Sequence, residues 1–271
     1  MNQWILSPNE AKELISQGAT ILDTRNKLAW FIGHVSGAIH VSWQEFSQPE
    51  KPHRGNLLKN ANLLEEKLRN RGIFNSKPVI VIGNTAHNFG EEGRIVWMLR
   101  TLGHNSAAFV DGGYNALVKA GVSTTFKGNQ SQQIGDFVVN RTGLWEIQRD
   151  ELKANLAENK LIVIDTRQKR EYKGAIFYGE QRGGHIPGAV HFYFKDLIDS
   201  KGNLLQNQEI IAQLENIGIQ LNTPIATYCT GGIRSAFFVA VLANLGFTNV
   251  RNYAGSMWEW SAEPANSYPL D

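Results

Sequence analysis

The chain has 271 residues, 42% hydrophobic and 19% charged, an ordinary globular balance with room for two cores at roughly 100–200 residues per domain. With 27 Lys and Arg against 25 Asp and Glu, no basic run and a formal charge of +2, nothing argues for nucleic acid. No apolar stretch reaches the ~20 residues of a membrane span, no signal peptide is visible, and a single cysteine, Cys229, excludes an internal disulfide or Cys-rich metal site, so the expectation is a soluble cytoplasmic chain without metal or cofactor.

Ser7-Pro8-Asn9-Glu10 is a helix start, with Ser7 as N-cap, Pro8 in the first turn and Glu10 reaching back. Gly18 ends that helix. Residues 19–23 follow as a strand. Val79-Ile80-Val81-Ile82, after Pro78, is an unbroken apolar run, which predicts a buried parallel strand. Residues 91–102 have helical spacing and an acidic first turn, closed by Gly103, and residues 107–111 form another strand. Residues 124–135 are polar and without periodicity and read as a linker. Strands at 161–165 and 225–228, a helix from about residue 234 to 245 and a strand near 250–253 then repeat the order. Alternating strands and helices predict two parallel-sheet α/β domains with helices on both faces, residues 1–123 and 136–271. Ligands of such sheets gather at the carboxyl ends of the strands.

The order repeats because the chain is an internal duplication. Ile21-Leu22-Asp23-Thr24-Arg25 recurs as Val163-Ile164-Asp165-Thr166-Arg167, 142 residues on. Gly33-His34-Val35-Ser36-Gly37-Ala38 recurs as Gly184-His185-Ile186-Pro187-Gly188-Ala189, 151 residues on, so the second copy carries nine extra residues between the two motifs. Gly55-Asn56-Leu57-Leu58, Pro78 and Leu102-Gly103 recur in the same order. Residues shared by both copies serve the fold; residues private to one are candidates for chemistry. Asp165, Arg167, Gly184, His185 and His191 are shared and read as structural, so His185 is not expected to be a general base. Cys229 is private: the first copy has Gly83 there and no nucleophile. Residues 1–123 alone are expected to fold but to lack transfer chemistry.

Cys229 follows the apolar run Ile225-Ala226-Thr227-Tyr228 and precedes Thr230-Gly231-Gly232-Ile233-Arg234-Ser235. A strand, a glycine loop and a helix start make an anion cradle, with loop N–H groups converging and the helix dipole adding positive potential. A lone cysteine is ordinarily a buried core residue. In this loop, with Arg234 five residues on, its thiolate is favoured and its pKa should lie below the free value of about 8.5.

These motifs resemble the rhodanese family of sulfurtransferases in its tandem form. The resemblance rests on Cys229-Thr230-Gly231-Gly232-Ile233-Arg234 as active-site loop, on Gly184-His185-Ile186-Pro187-Gly188-Ala189, on the two Asp-Thr-Arg strand ends, on Gly90-Glu91-Glu92-Gly93-Arg94 in the first copy and on Gly255-Ser256-Met257-Trp258-Glu259-Trp260. It implies two tandem rhodanese-like domains, the second catalytic. It also implies sulfane-sulfur transfer from a small anionic donor, thiosulfate or 3-mercaptopyruvate, through a Cys229 persulfide to cyanide, a thiol or a protein cysteine, in a monomer. Arg234 and Arg182 are the expected donor contacts, Arg182 because it resembles an arginine of mercaptopyruvate-type members. Glu171 departs from the family, whose tandem members usually have an arginine there; neighbouring Arg170 is the substitute to test. Trp260 and Trp258 read as core aromatics, Trp258 with the option of lining the pocket. One rival is a cysteine phosphatase or arsenate reductase, disfavoured by four residues rather than five between Cys229 and Arg234. A second is a relay module that donates sulfur only to a protein partner.

Overall fold

The computed structural model describes residues 2–128 and 133–271. In the first half, strands Ile5–Leu6, Ala107–Val110, Val79–Ile82, Thr20–Asp23 and Ile39–His40 lie side by side in that order. In the second the order is Val250–Asn252, Ile225–Tyr228, Ile162–Asp165 and Val190–His191. Every pairing in these two sheets is parallel. Asp23 stands opposite Ile82 as Asp165 stands opposite Tyr228, so the duplicated sequence is a duplicated register. A single parallel bridge, Glu146 to Asn252, is what the second half keeps of the Ile5–Leu6 strand.

The unbroken apolar run follows from burial on both faces. Val79 and Val81 belong to one apolar cluster, Ile80 and Ile82 to another. Leu64 and Leu68 of helix Ala61–Arg69 cover the first face; Ala11 of helix Pro8–Ser16 and Leu117 of helix Gly113–Lys119 cover the second. This is the predicted layering. The first cluster does not stop at the domain boundary. Helix Glu91–Thr101 packs on helix Ile233–Asn244, and Phe109 of the first half lies 5.2 Å from Phe237 of the second. Residues Ile233 to Leu242 are buried on every side, which explains a helix apolar all round.

Two expectations about boundaries change. Thr124–Thr125, placed in the linker, is a strand antiparallel to His34–Val35; residues 129–132 of the expected linker lie outside the described residues. Past them the chain stays on the first half: the N–H groups of Gly135, Phe137 and Asn140 donate to the carbonyls of Arg69, Ile73 and Leu102, and Phe137 is fully buried. The segment counted as the start of the catalytic domain thus completes the first one. A fragment ending at residue 123 would lack Phe137 and open the buried helix Glu91–Thr101 to water, which argues against its folding alone.

Candidate active site

Strand Ile225–Tyr228 is wholly buried and delivers Cys229 at its carboxyl end, 1% exposed. The chain then turns over Gly231-Gly232 into helix Ile233–Asn244. Gly232 has φ +81°, the left-handed region. Gly231 is required by space, since a Cβ there would stand 2.2 Å from the Trp258 ring. The Gly232 N–H donates to Cys229 Sγ at 3.1 Å and the Ser235 hydroxyl lies 3.6 Å from it. The loop is pinned from the Gly255–Trp260 segment. Ser256 Oγ accepts from the Cys229 N–H at 3.2 Å and donates to the Tyr253 carbonyl, while Met257 and Trp258 N–H groups donate to the Cys229 and Thr230 carbonyls. Ser256 does this with φ +52°, strained for a non-glycine residue. Burial alone pushes the thiol up. The Arg234 charge, the Ser235 N–H and hydroxyl and the Gly231 N–H outweigh it, and the Cys229 pKa falls below its ordinary value, in the expected direction.

Arg234 is 3% exposed. Its two terminal nitrogens donate to the Glu171 carboxylate at 2.7 and 2.9 Å and one also donates to Thr230 Oγ1 at 2.8 Å. Burial favours the neutral acid at Glu171, but the Arg234 fork wins and its carboxyl stays below the usual value. Glu171 is presented by the short helix Lys169–Tyr172, where its Oε2 also accepts from the Gln168 N–H at 3.1 Å. Glu180 Oε1 lies 3.2 Å from Thr230 Oγ1.

Cys229 opens onto a cavity of about 300 Å³. Thr230, Gly231, Ile233, Arg234, Tyr178 and Trp258 line it from the second half; Trp43, Gln44, Phe89 and Glu91 line it from the first. Burial and neighbouring Glu92 push the Glu91 carboxyl up to about 7. A second cavity, about 540 Å³ on the first half, shares Trp43, Gln44, Phe89 and Glu91. No helix among the described residues is long and apolar enough to cross a membrane, and no His/Cys/Asp/Glu cluster among them would hold a metal.

The model of the Rhodanese-like domain matches residues 7–120 and again 148–263. The chain belongs to the rhodanese family. SseB of Mycobacterium tuberculosis is 30% identical over 274 residues, covering 97% of this chain and 95% of that one. The thiosulfate sulfurtransferase of Pseudomonas aeruginosa is 26% identical over 261 residues, 96% and 94% of the two chains. The solved structure of SseA, a 3-mercaptopyruvate sulfotransferase from Escherichia coli, superposes with a TM-score of 0.80 at 22% identity, over 94% of this chain and 98% of that one. With two rhodanese domains and relatives of this kind along its whole length, the protein is a sulfurtransferase.

Within this rhodanese pair the first domain shows how a site is lost. A Cβ on Gly83 would stand 2.0 Å from Glu92 Oε2. The buried Glu92 carboxyl, held by Thr85 and Asn88, fills the space a nucleophile would use. The shared residues are structural in both halves. Arg25 and Arg167 grip Asp23 and Asp165 and donate to the carbonyls of Gly33 and Gly184. His34 Nδ1 meets the Trp30 carbonyl and His185 Nδ1 the Tyr172 carbonyl, each ring stacked on that same aromatic.

The structure does not bring Arg182 to Cys229. Its guanidinium donates to the carbonyls of Trp260, Ser261, Glu263 and Tyr268 and holds down the C-terminal segment. Arg170 does not substitute for the missing arginine either; it is exposed and lies 4.2 Å over the Phe177 ring. The insertion does reach the site, through Tyr178 and Glu180 rather than Arg182. Trp258 lines the cavity, its Nε1 donating to the Tyr178 carbonyl at 3.0 Å, whereas Trp260 is a core residue against Tyr253 and Tyr268. Trp43, Gln44, Phe89 and Glu91 were not foreseen as individuals. Glu91 had a signal: the 143-residue offset of Leu102-Gly103 and Leu245-Gly246 sets it against Arg234, and both stand in the first turn of their helices.

Proposed function

We propose that the protein moves sulfane sulfur by double displacement through Cys229. The thiolate attacks the outer sulfur of the donor, the donor's bond to that sulfur breaks, and the remainder leaves with the electron pair. The persulfide rests where the thiolate was, against the Gly232 N–H and Ser235 hydroxyl. An acceptor thiolate then attacks the outer sulfur and Cys229 leaves as thiolate. Cys229 is the only cysteine in the chain, so the acceptor is an external thiol, cyanide or a protein cysteine. The observation that carries this reading is a depressed-pKa thiol, donor-held at a strand end, opening onto a cavity lined from both domains. Phosphatase chemistry is disfavoured, because the guanidinium it would turn to phosphate oxygens is held by Glu171.

Steady-state turnover with small donors and acceptors tests the proposal. Parallel double-reciprocal lines are expected, and Cys229→Ser should abolish turnover. Retained turnover in that variant would remove the nucleophile from the scheme. Loading without release to any small thiol would favour a relay that donates only to a protein.

A further inference from the structure

The charge that an anionic donor would need is already taken. Among the described residues Arg234 is the one guanidinium that lines the cavity, and both its terminal nitrogens are on Glu171. A bidentate pair of this kind neutralises the guanidinium and engages both of its terminal nitrogens. Glu180 adds a second carboxylate behind Thr230, and Glu91 a third across the cavity. Another buried guanidinium, Arg94, donates to the carbonyls of Gly55 and Gly232 beneath the loop and is not part of the wall. Lys51 is exposed, stands 5.0 Å over the Trp258 ring, bonds the Tyr178 carbonyl and does not line the cavity. What remains of the wall is aromatic: Trp43, Phe89, Tyr178 and Trp258.

We infer that Glu171 sets donor specificity: by holding Arg234 it turns an anion cradle into an aromatic slot that accepts an organic hydropersulfide, R–S–S–H with an apolar or aromatic R, over the thiosulfate dianion. This rests on the Cys229 persulfide reading and names its donor class. The Cys229 thiolate attacks the outer, protonated sulfur. A Cys229 S–S bond forms, the donor S–S bond breaks, and R–S⁻ leaves with the electron pair while the proton stays on the transferred sulfur. No oxidant or reductant is consumed. Thiosulfate would bring two negative charges beside a thiolate, facing a guanidinium whose charge Glu171 already balances. An apolar R instead buries its surface against the rings.

The test is the rate at which the full-length protein gains one sulfur on Cys229, read by intact mass. The two donors are sodium thiosulfate and benzyl hydropersulfide released in situ, each rate divided by that of the same donor with free cysteine. The normalised rate should favour the hydropersulfide by at least about tenfold, the scale of one charge-assisted hydrogen bond. Glu171→Gln frees Arg234 and should cut that preference by roughly tenfold. Glu171→Asp keeps the charge and should keep the preference. Equal normalised rates in the wild type, or a preference that Glu171→Gln leaves unmoved, would overturn the inference. Should Glu171→Gln not fold, the wild-type preference decides alone. If neither donor loads Cys229, the persulfide reading fails, a different result from a cysteine that loads without discrimination.

Discussion

A thiol taken out of water ordinarily keeps its proton, and Cys229 is almost fully buried. Its acidity therefore depends on the donors and charge around it. The pH dependence of iodoacetamide alkylation should have a midpoint below about 8.5, and Ser235→Ala, which removes the hydroxyl at 3.6 Å, should raise it; a wild-type midpoint above that value would mean an unassisted thiol. Glu91 works in the opposite sense. Its carboxyl titrates near 7 in the folded chain, above its ordinary 4.5. The folded state then binds the proton more tightly, so the contribution is present below pH 4.5 and is lost as pH rises through 7. Glu91→Gln should accordingly raise Tm at pH 8 and not at pH 4; an equal change at both would show that Glu91 does not titrate in this window. Arg182→Ala should cost about 1.5–3 kcal/mol of stability through its lost carbonyl bonds and leave the donor KM unchanged, and a raised KM would restore it to the site. Cys229 and its loop were legible because cysteine, glycines and arginine are contiguous. The Arg234–Glu171 pair was not, because its partners stand 63 positions apart and a lone Glu on a short helix gives no sign of where its carboxylate ends.

The two elements that decide the architecture are the helices Glu91–Thr101 and Ile233–Asn244. The second is legible in outline: an apolar surface all round announces burial. Its partner is not, because periodicity tells which residues are buried and not what covers them. Phe237 sits at the crossing, 1% exposed, against Phe109 and Phe194. Phe237→Ala should cost about 3–5 kcal/mol, the usual range for emptying a buried aromatic site, measured by urea denaturation. A loss under about 1 kcal/mol would mean that the halves are not joined there. The same logic explains the misplaced boundary. The polar residues after Thr124 read as linker, and one buried aromatic, Phe137, was too little signal against them.

At the scale of the molecule, the duplication made the fold readable, since five motifs recurred in order. The recurrence could not show that both halves share one apolar cluster, or that the first domain lines the second domain's cavity with Trp43, Phe89 and Glu91. One cluster predicts one cooperative thermal transition, with calorimetric and van't Hoff enthalpies equal; two resolved transitions would contradict it. The central claim is that sulfur is stored on Cys229 between two half-reactions. Intact mass of the full-length protein, taken after incubation with donor and before any acceptor is added, tests it most directly. The mass should rise by one sulfur atom, localise to the peptide containing Cys229, revert on adding cyanide or a thiol, and not appear in Cys229→Ser. Sulfur transfer that proceeds only when donor and acceptor are present together, with no gain in mass, would contradict the account.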